Sequence, residues 1–388
     1  MTSTAPPDPT STGPIERRRW IDWLVALLWL GAIVTATLQH GVRTQNNNFR
    51  IFRAASRHLV AGSDLYAAYP AEHFDFYKYS PTFALLFAPF AYVSFPLAML
   101  LWSALNAGAL YVALRLVLPR RGATVARVIV FLDMLGSLQN AQSNALVAAL
   151  IVLTFAAYER HHTALGSLAA VTGTYIKLFP LAGVSFAIFH GRKLRVALAL
   201  VAGLVLFALL PLLVTSPDTL LAQYTSWRAI GAADALKRGY SVMNVVEQLF
   251  HGELPSWPIQ LAGVLILVAP VVVQRWRWHD WDLRRLYLCS VLVFCVIFNH
   301  LAESPTFVVA VTGVAIWFAA ISRPSRWEWL LLGAIVLFTI LASSDVMPER
   351  IQRDFFDRYR FKTVPLIVLW IELLRRLWFP RVREAKPT

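Results

Sequence analysis

Long apolar runs, bounded by charged or helix-breaking residues, follow one another along most of the chain. About twelve such runs can be delimited: 20–38, 81–95, 97–118, 127–142, 144–158, 164–189, 196–214, 259–274, 286–299, 305–322, 327–343 and 364–379. A membrane-crossing helix needs about 20 apolar residues, and several runs are shorter than that. The first two pairs of adjacent runs, 81–95 with 97–118 and 127–142 with 144–158, could each be one broken crossing, which would leave about ten. The pattern predicts an all-α, polytopic membrane protein of 10–12 transmembrane helices.

Composition supports a lipid environment. The chain of 388 residues is 57% hydrophobic and 15% charged, with a mean hydropathy of +0.56. A soluble domain of this length cannot hide so much apolar surface. A membrane β-barrel would show short alternating segments, which these runs do not. Cys289 and Cys295 both fall within one apolar run, which predicts neither a disulfide framework nor a metal site.

Basic clusters at the ends of the apolar runs predict the orientation. The formal net charge is +14. Contact with anionic lipid headgroups and the positive-inside rule explain these clusters better than nucleic acid does. Placing the clusters in the cytoplasm leaves four segments outside: 39–80, 215–258, 299–305 and 344–363. Long connections on one face only predict that the protein works on that face.

The same pattern predicts a simple domain organisation. Residues 1–19 are expected to be a disordered cytoplasmic N-terminus, because Ser, Thr, Pro and Gly dominate them. Residues 20–379 form a single transmembrane domain, and 380–388 form a basic cytoplasmic tail.

The first outer segment opens with three asparagines and a helical pattern. Large apolar residues recur on one face and arginines nearly opposite: Phe49, Phe52, Ala55 and Leu59 against Arg50, Arg53 and Arg57. This predicts an amphipathic helix in the membrane interface with its aromatic side towards lipid. Asn48 stands where an N-cap is needed, and Gly62 where the helix should stop.

Aromatic and acidic residues then alternate in "AGSDLYAAYPAEHFDFYKYSPTF". Glu72, Asp75, Lys78 and Tyr79 belong to this segment. Such a composition suits sugar binding, and it equally suits an interfacial aromatic belt.

Polar residues within or beside the apolar runs are candidates for function. Lys177 stands near the middle of a run and needs an anionic partner, either a lipid phosphate or a carboxylate on another helix. Gln142 and Asn144 could bond across helices or to a ligand. His300 and Glu303, spaced i and i+3, could share a proton, position a hydroxyl group, contact a phosphate, or form an ordinary surface pair. No third ligand at a suitable spacing suggests a zinc site.

Four of these segments together resemble glycosyltransferase family 87, which includes polyprenyl-phosphate-mannose-dependent alpha-1,2-mannosyltransferases. They are "NNFRIFRAASRHLVAGSDLY", "YKYSPTFALLFAPFAYVSFPLAMLLWSALNAG", "LQNAQSNALVAALIVL" and "GTYIKLFPLAGV". A later segment, "NHLAESPTFVVAVTGVAIWF", is similar to the branch of the family found in Gram-negative bacteria. The resemblance covers most of Asn47 to about Trp317.

The resemblance implies a GT-C fold in the cytoplasmic (inner) membrane of a bacterium, with its active site facing the periplasm. The implied donor is a sugar, mannose-like, on polyprenyl phosphate, and the acceptor is a glycan or glycolipid. Such a donor explains why no nucleotide-binding loop or Asp-x-Asp metal motif is evident. Membrane lipid is expected as a partner, and no cofactor, metal or nucleic acid is expected.

The implied reaction is attack by a hydroxyl group on the anomeric carbon with inversion, which needs a base and cations for the leaving phosphate. Lys177, Arg53 and Lys78 are the candidates for phosphate binding. Glu72, Tyr79, Gln142 and Asn144 are the candidates for substrate binding, and His300 joins the catalytic group.

The chain departs from the family at the expected base. Family members typically carry an aspartate at the position of Asn48, or of Asn47 after a one-residue shift, and an amide cannot accept the proton. Asp75, Glu72 or Glu303 could replace that base, the acceptor could need little base assistance, or the chain could be inactive. Two other classes therefore stay open: a lipid or solute transporter, and a non-catalytic membrane scaffold.

Overall fold

The computed structural model describes residues 19–234, 237–250, 252, 255–343, 350 and 361–379. About 80% of the structure is helical, and the described residues contain no β-strand, which confirms the all-α prediction. The helices are α1 Arg19–Thr37, α2 Asn47–Ala61, α3 Pro81–Leu86, α4 Ala88–Ala91, α5 Phe95–Val117, α6 Arg120–Ile129, α7 Phe131–Gln139, α8 Asn144–Glu159, α9 Thr163–Ile176, α10 Lys193–Leu209, α11 Pro217–Ala233, α12 Val242–Phe250, α13 Ser256–Val273, α14 Trp281–Ile297, α15 Phe307–Ala319, α16 Arg326–Ile335 and α17 Val364–Trp378. The predicted tail 380–388, the N-terminal residues before Arg19 and most of the outer segment 344–363 lie outside the described residues.

Four helical stretches among the described residues are long and apolar enough to cross a membrane: Arg19–Arg43, Phe95–Val117, Lys193–Leu213 and Ser256–Val273. The pair α6 and α7, bent by 53°, makes a fifth if it is one broken span. The count of ten to twelve is therefore not confirmed. The break in this part of the chain lies between α6 and α7, whereas the sequence suggested one between 127–142 and 144–158.

Several predicted spans are interrupted by short 3₁₀ or π turns. The run 164–189 divides into α9 and a 3₁₀ helix Phe179–Phe189, with Lys177 extended between them (φ −146°, ψ 140°). Pro180 explains the break, because proline has no N–H to donate to the carbonyl four residues earlier, Ile176 O, and its ring crowds that carbonyl. The run 81–95 likewise becomes the two short helices α3 and α4.

Burial separates a peripheral layer of helices from a central one. Only 22% of the most apolar stretch of α10, and the same share in α13, is buried within the protein. By contrast, α14 and α15 are buried along almost their whole length. Leucine and valine faces of this extent are stable in hydrocarbon and not in water, so α10 and α13 face lipid. The protein is a membrane protein.

The amphipathic helix predicted after the asparagines is present as α2. Gly62 ends it in the left-handed conformation (φ 70°), as predicted. The N-cap is Asn46, whose side chain accepts from Phe49 N, so the assignment of this role to Asn48 was wrong. Phe49 and Phe52 pack edge-on against Phe87. The aromatic face therefore packs against other helices of the protein and does not face lipid as expected.

Candidate active site

A chain of polar contacts joins three segments that are distant in sequence. Lys177 Nζ donates to Asn144 Oδ1 at 2.6 Å and to Gln142 Oε1 at 3.3 Å. Asn144 Nδ2 donates to the same Gln142 oxygen at 2.6 Å. Gln142 Nε2 in turn donates to Glu303 Oε2 at 3.0 Å. We call these four residues the polar cluster.

Local structure explains how each segment reaches the polar cluster. Ala141 takes a positive φ of 51°, which ends the α7 segment and turns Gln142 towards Lys177. Asn144 is the first residue of α8 and is fully buried. Lys177 follows the last residue of α9, and Glu303 precedes the short 3₁₀ turn that leads into α15. Two helix starts and one helix end therefore meet.

The ammonium of Lys177 is held by neutral oxygens. Its two hydrogen-bond acceptors among the described residues are amide oxygens, and the rings of Tyr79 and Phe179 lie 5.7 Å and 6.0 Å from Nζ. Glu303 is close enough to interact with it electrostatically, but Gln142 stands between the two charges. An ammonium has three N–H donors, so one remains for an incoming anion.

Tyr79 closes one side of the polar cluster. Its ring packs edge-on against Phe52 with centroids 5.0 Å apart. Burial, reinforced by the negative charge of Glu303, raises the pKa of the Tyr79 hydroxyl, which therefore stays protonated at neutral pH. The hydroxyl can therefore act as a hydrogen-bond donor, and its role in substrate binding stays a prediction.

A second group of charges lies at the edge of the site, and the sequence did not indicate it. Asp234 binds Lys237 at 2.5 Å and Lys78 at 3.3 Å. Burial opposes ionisation of Asp234, but the hydrogen bonds and charges of the two lysines outweigh it and lower the pKa of the carboxyl. Lys237 also interacts electrostatically with Asp75 and Glu303. These ion pairs connect the second outer segment to the first and to the polar cluster.

His300 stands beside this group. Burial lowers the pKa of its imidazole, and the positive charge of Arg238 lowers it further, against the opposing charge of Asp234. The ring is therefore neutral at neutral pH and is poorly suited to balance the charge of a phosphate.

Backbone pairing fixes the segment that carries His300 and Glu303. Gly239 N donates to His300 O at 2.6 Å, and Tyr240 N donates to Ala302 O at 2.8 Å. A Cβ atom at Gly239 would lie 2.3 Å from Ala302 O, which is closer than any side chain tolerates. Only glycine allows the second outer segment to approach so closely. No sequence pattern predicted this contact, because the two segments are far apart in sequence.

Three further predicted residues make their contacts outside the polar cluster. Arg53 is buried and donates to Ala91 O at 3.1 Å and Val93 O at 2.8 Å, so it ties α2 to the end of α4. Glu72 pairs with His58 at 3.0 Å on the surface. Asp75 is exposed, and its Oδ1 accepts from the Phe76 backbone N–H at 2.7 Å.

The three asparagines hold separate segments together. Asn46 Nδ2 donates to Gln139 O at 3.0 Å, in addition to capping α2. Asn47 Oδ1 accepts from Phe74 N at 3.2 Å. Asn48 Nδ2 donates to Asn140 O at 3.0 Å. An aspartate in place of Asn48 could not donate to that carbonyl, so the amide suits this contact where the family's acid would not. Asn140 is two residues before Gln142 in sequence, so Asn48 is bonded to the segment that carries Gln142.

Two cavities lie away from the polar cluster. One, of about 450 Å³, is lined wholly by apolar side chains of α16, α17 and the turns beside them. The other, of about 430 Å³, includes Arg277, Arg285 and Arg376, each of which is paired with a carboxylate. Neither offers the free nucleophile, base or cation that a transferase needs, whereas the polar cluster combines a carboxylate, a cation and amides.

The sequence profile of glycosyltransferase family 87 matches residues 76–305, more than half of the chain. This match assigns the helical membrane protein to the class of glycosyltransferases. More particularly, the chain belongs to glycosyltransferase family 87, which confirms the resemblance inferred from its motifs. A search of curated proteins finds no significant match. The matched range contains all four residues of the polar cluster and excludes Asn48.

Proposed function

We propose that this glycosyltransferase moves a hexose, mannose-like, from a polyprenyl-phosphate donor to a glycan or glycolipid on the outer face of a bacterial cytoplasmic membrane, with inversion at the anomeric carbon. The observation that carries the proposal is the placement of Lys177 and Glu303 on opposite sides of Gln142. Family membership supports sugar transfer in general, and the lipid-facing helices support a donor that reaches the site through the bilayer.

Lys177 is proposed to hold the donor phosphate. When the glycosidic bond breaks, the phosphate diester becomes a monoester and gains negative charge. A half-buried ammonium with one unused N–H can bind that charge more strongly in the transition state than in the ground state. Because its present acceptors are neutral amides, binding a phosphate oxygen requires no ion pair to be broken.

Glu303 is proposed to be the base. One of its carboxylate oxygens accepts from Gln142, and the other accepts no hydrogen bond from the described residues. That second oxygen can accept the proton of the attacking hydroxyl group. Gln142 stands between the carboxylate and Lys177, so the two charges form no direct ion pair. Of the three carboxylates that could replace the missing aspartate, Glu303 is the one in the polar cluster.

Asn144 and Gln142 are proposed to orient these two groups, and Tyr79 to donate to a sugar hydroxyl or phosphate oxygen. Lys78 is proposed to act from the edge of the site, since Asp234 already holds its ammonium there. His300, with a lowered pKa, is proposed to contact the acceptor as a neutral group.

The test is transfer from a panel of synthetic polyprenyl-phosphate sugars to membrane extracts, with purified wild type and single variants. We expect Glu303→Gln to lower kcat about 10²–10⁴-fold, the usual contribution of a general base. Lys177→Met should lower it about 10²–10³-fold, as removal of an electrostatic contact to the transition state does.

Matched controls come from the same chain. Asp218→Asn removes an exposed carboxylate from α11, and Lys193→Met removes a cation that lies over Trp278, 4.4 Å from its ring centre. Both variants should retain wild-type turnover. Turnover that survives both Glu303→Gln and Lys177→Met would reject these roles. No turnover by wild type with any donor of the panel would favour a non-catalytic scaffold.

A further inference from the structure

Lys362 is a buried cation beside the polar cluster. It lies in the 3₁₀ turn Phe361–Thr363 that precedes α17, and only 3% of its surface is exposed. Its Nζ donates to Ser304 O at 3.3 Å and lies 4.3 Å from the ring centre of Phe307. Thr339 Oγ1 donates to its backbone carbonyl at 2.8 Å. The ammonium is therefore fixed against the residue that follows Glu303.

A second buried charge, Asp133, lies near Lys362. It lies on α7, is 8% exposed, and its Oδ2 has no hydrogen-bond donor among the described residues. Lys362 is near enough to interact with it electrostatically. A buried carboxylate is costly unless a cation is close, so this interaction helps to hold α7 against the turn at Ser304.

The contacts of Lys362 and Asp133 involve the two segments that carry the partners of the hydrogen bond between Gln142 and Glu303. The segment held by Lys362 carries Glu303, and the helix that carries Asp133 leads to Gln142. The distance between Gln142 Nε2 and Glu303 Oε2, 3.0 Å, thus depends on how α7 and the Ser304 turn are joined. We infer that Lys362, supported by Asp133, is a positioning residue that sets the place of Glu303 in the active site, an inference that rests on the proposed function.

The inference predicts a specific kinetic effect. Lys362 touches neither the polar cluster nor the proposed phosphate position, so its loss should leave donor binding intact. A displacement of a catalytic group by about 1 Å can cost about 10²-fold in rate. We expect Lys362→Met to lower kcat about 10–100-fold with the donor KM changed less than about threefold, and Lys362→Arg to recover most of the rate, since a cation can still donate to Ser304 O.

Folding must be separated from positioning. Lys362→Met alone leaves Asp133 buried without this cation, which destabilises a protein strongly, whereas neutralising both partners is often tolerated. The double variant Asp133→Asn/Lys362→Met should therefore regain thermal stability in detergent, but not kcat. Lys193→Met serves again as the control for loss of a lysine.

The outcomes are distinguishable from failure of the proposed function. If Glu303→Gln abolishes transfer while the stable double variant keeps wild-type kcat, Lys362 only balances charge and the inference is overturned. An equal rise in KM and fall in kcat would also overturn it, because that result indicates general disruption. If Glu303→Gln itself retains full activity, the proposed base fails first.

Discussion

Restoring the family's acid at Asn48 gives a direct test of where the base lies. In the structure, Asn48 Nδ2 donates to Asn140 O at 3.0 Å. Asn48→Asp replaces that donor with a carboxylate oxygen facing a carbonyl oxygen. The loss of the hydrogen bond costs about 1 kcal/mol, and leaving two acceptors opposed adds about 1 kcal/mol. Asn48 is also in the first turn of α2, where a negative charge regains about 0.5–1 kcal/mol from the helix dipole.

The expected net cost is thus about 1 kcal/mol in the free energy of unfolding. Asn48→Ala should cost a similar free energy, because it loses the hydrogen bond to Asn140 O. It adds neither the repulsion between two acceptors nor the favourable interaction of a negative charge with the helix dipole. Thermal unfolding in detergent should show both variants lower in Tm by up to about 4 °C. If Asn48→Asp is as stable as wild type, the bond to Asn140 O contributes little and this explanation of the amide is wrong.

Activity decides the mechanistic question. Because Glu303 is the proposed base, Asn48→Asp should not raise kcat, and it should not restore transfer to Glu303→Gln. A tenfold gain in kcat, or rescue of the Glu303→Gln variant, would show that the base position beside α2 is still usable and would refute the relocation to Glu303. Asn48→Ala is the matched control, because it removes the same bond without adding a carboxylate.

Three further outcomes follow from the contacts described. Gly239→Ala should lower both thermal stability and kcat, because its Cβ would lie 2.3 Å from Ala302 O and displace the catalytic segment; unchanged kinetics would contradict this. Asp234→Asn should destabilise the protein at pH 7. Since the folded pKa of Asp234 is depressed, its contribution is present above the ordinary value of 3.8 and is lost as pH falls below it, so unfolding curves of variant and wild type should converge in acid. Arg53→Met should lower Tm by loss of two charge-assisted bonds while donor KM stays unchanged; a raised KM would return Arg53 to the phosphate site.

The sequence predicted those features that depend on local pattern. Helix α2 followed from the spacing of Phe49 and Phe52, and its end followed from Gly62. The cost of a charge in an apolar run singled out Lys177, and the structure places it with Gln142, Asn144 and Glu303 as candidates for one site. Their roles remain predictions.

Features that depend on tertiary contact were not predictable. Which of the three asparagines caps α2 depends on Gln139 and Asn140, at the end of α7. Asp234 and Lys237 resemble any surface pair in sequence, and only the fold brings them to Lys78. The helical periodicity of α2 placed Arg53 opposite the aromatic face, which suggested contact with a phosphate. In the structure, Arg53 instead donates to two carbonyl groups at the end of α4.

The break after α9 has an electrostatic consequence. Lys177 does not stand inside a helix but directly after its last turn, and its N–H bonds to Gly173 O at 2.9 Å. The carbonyl groups at the end of a helix carry partial negative charge, which favours a nearby cation. A helix that continued past Lys177 without a proline would have satisfied those carbonyls within itself. By stopping there, the chain supplies an ammonium inside an apolar environment with part of the polar surroundings that water would otherwise provide.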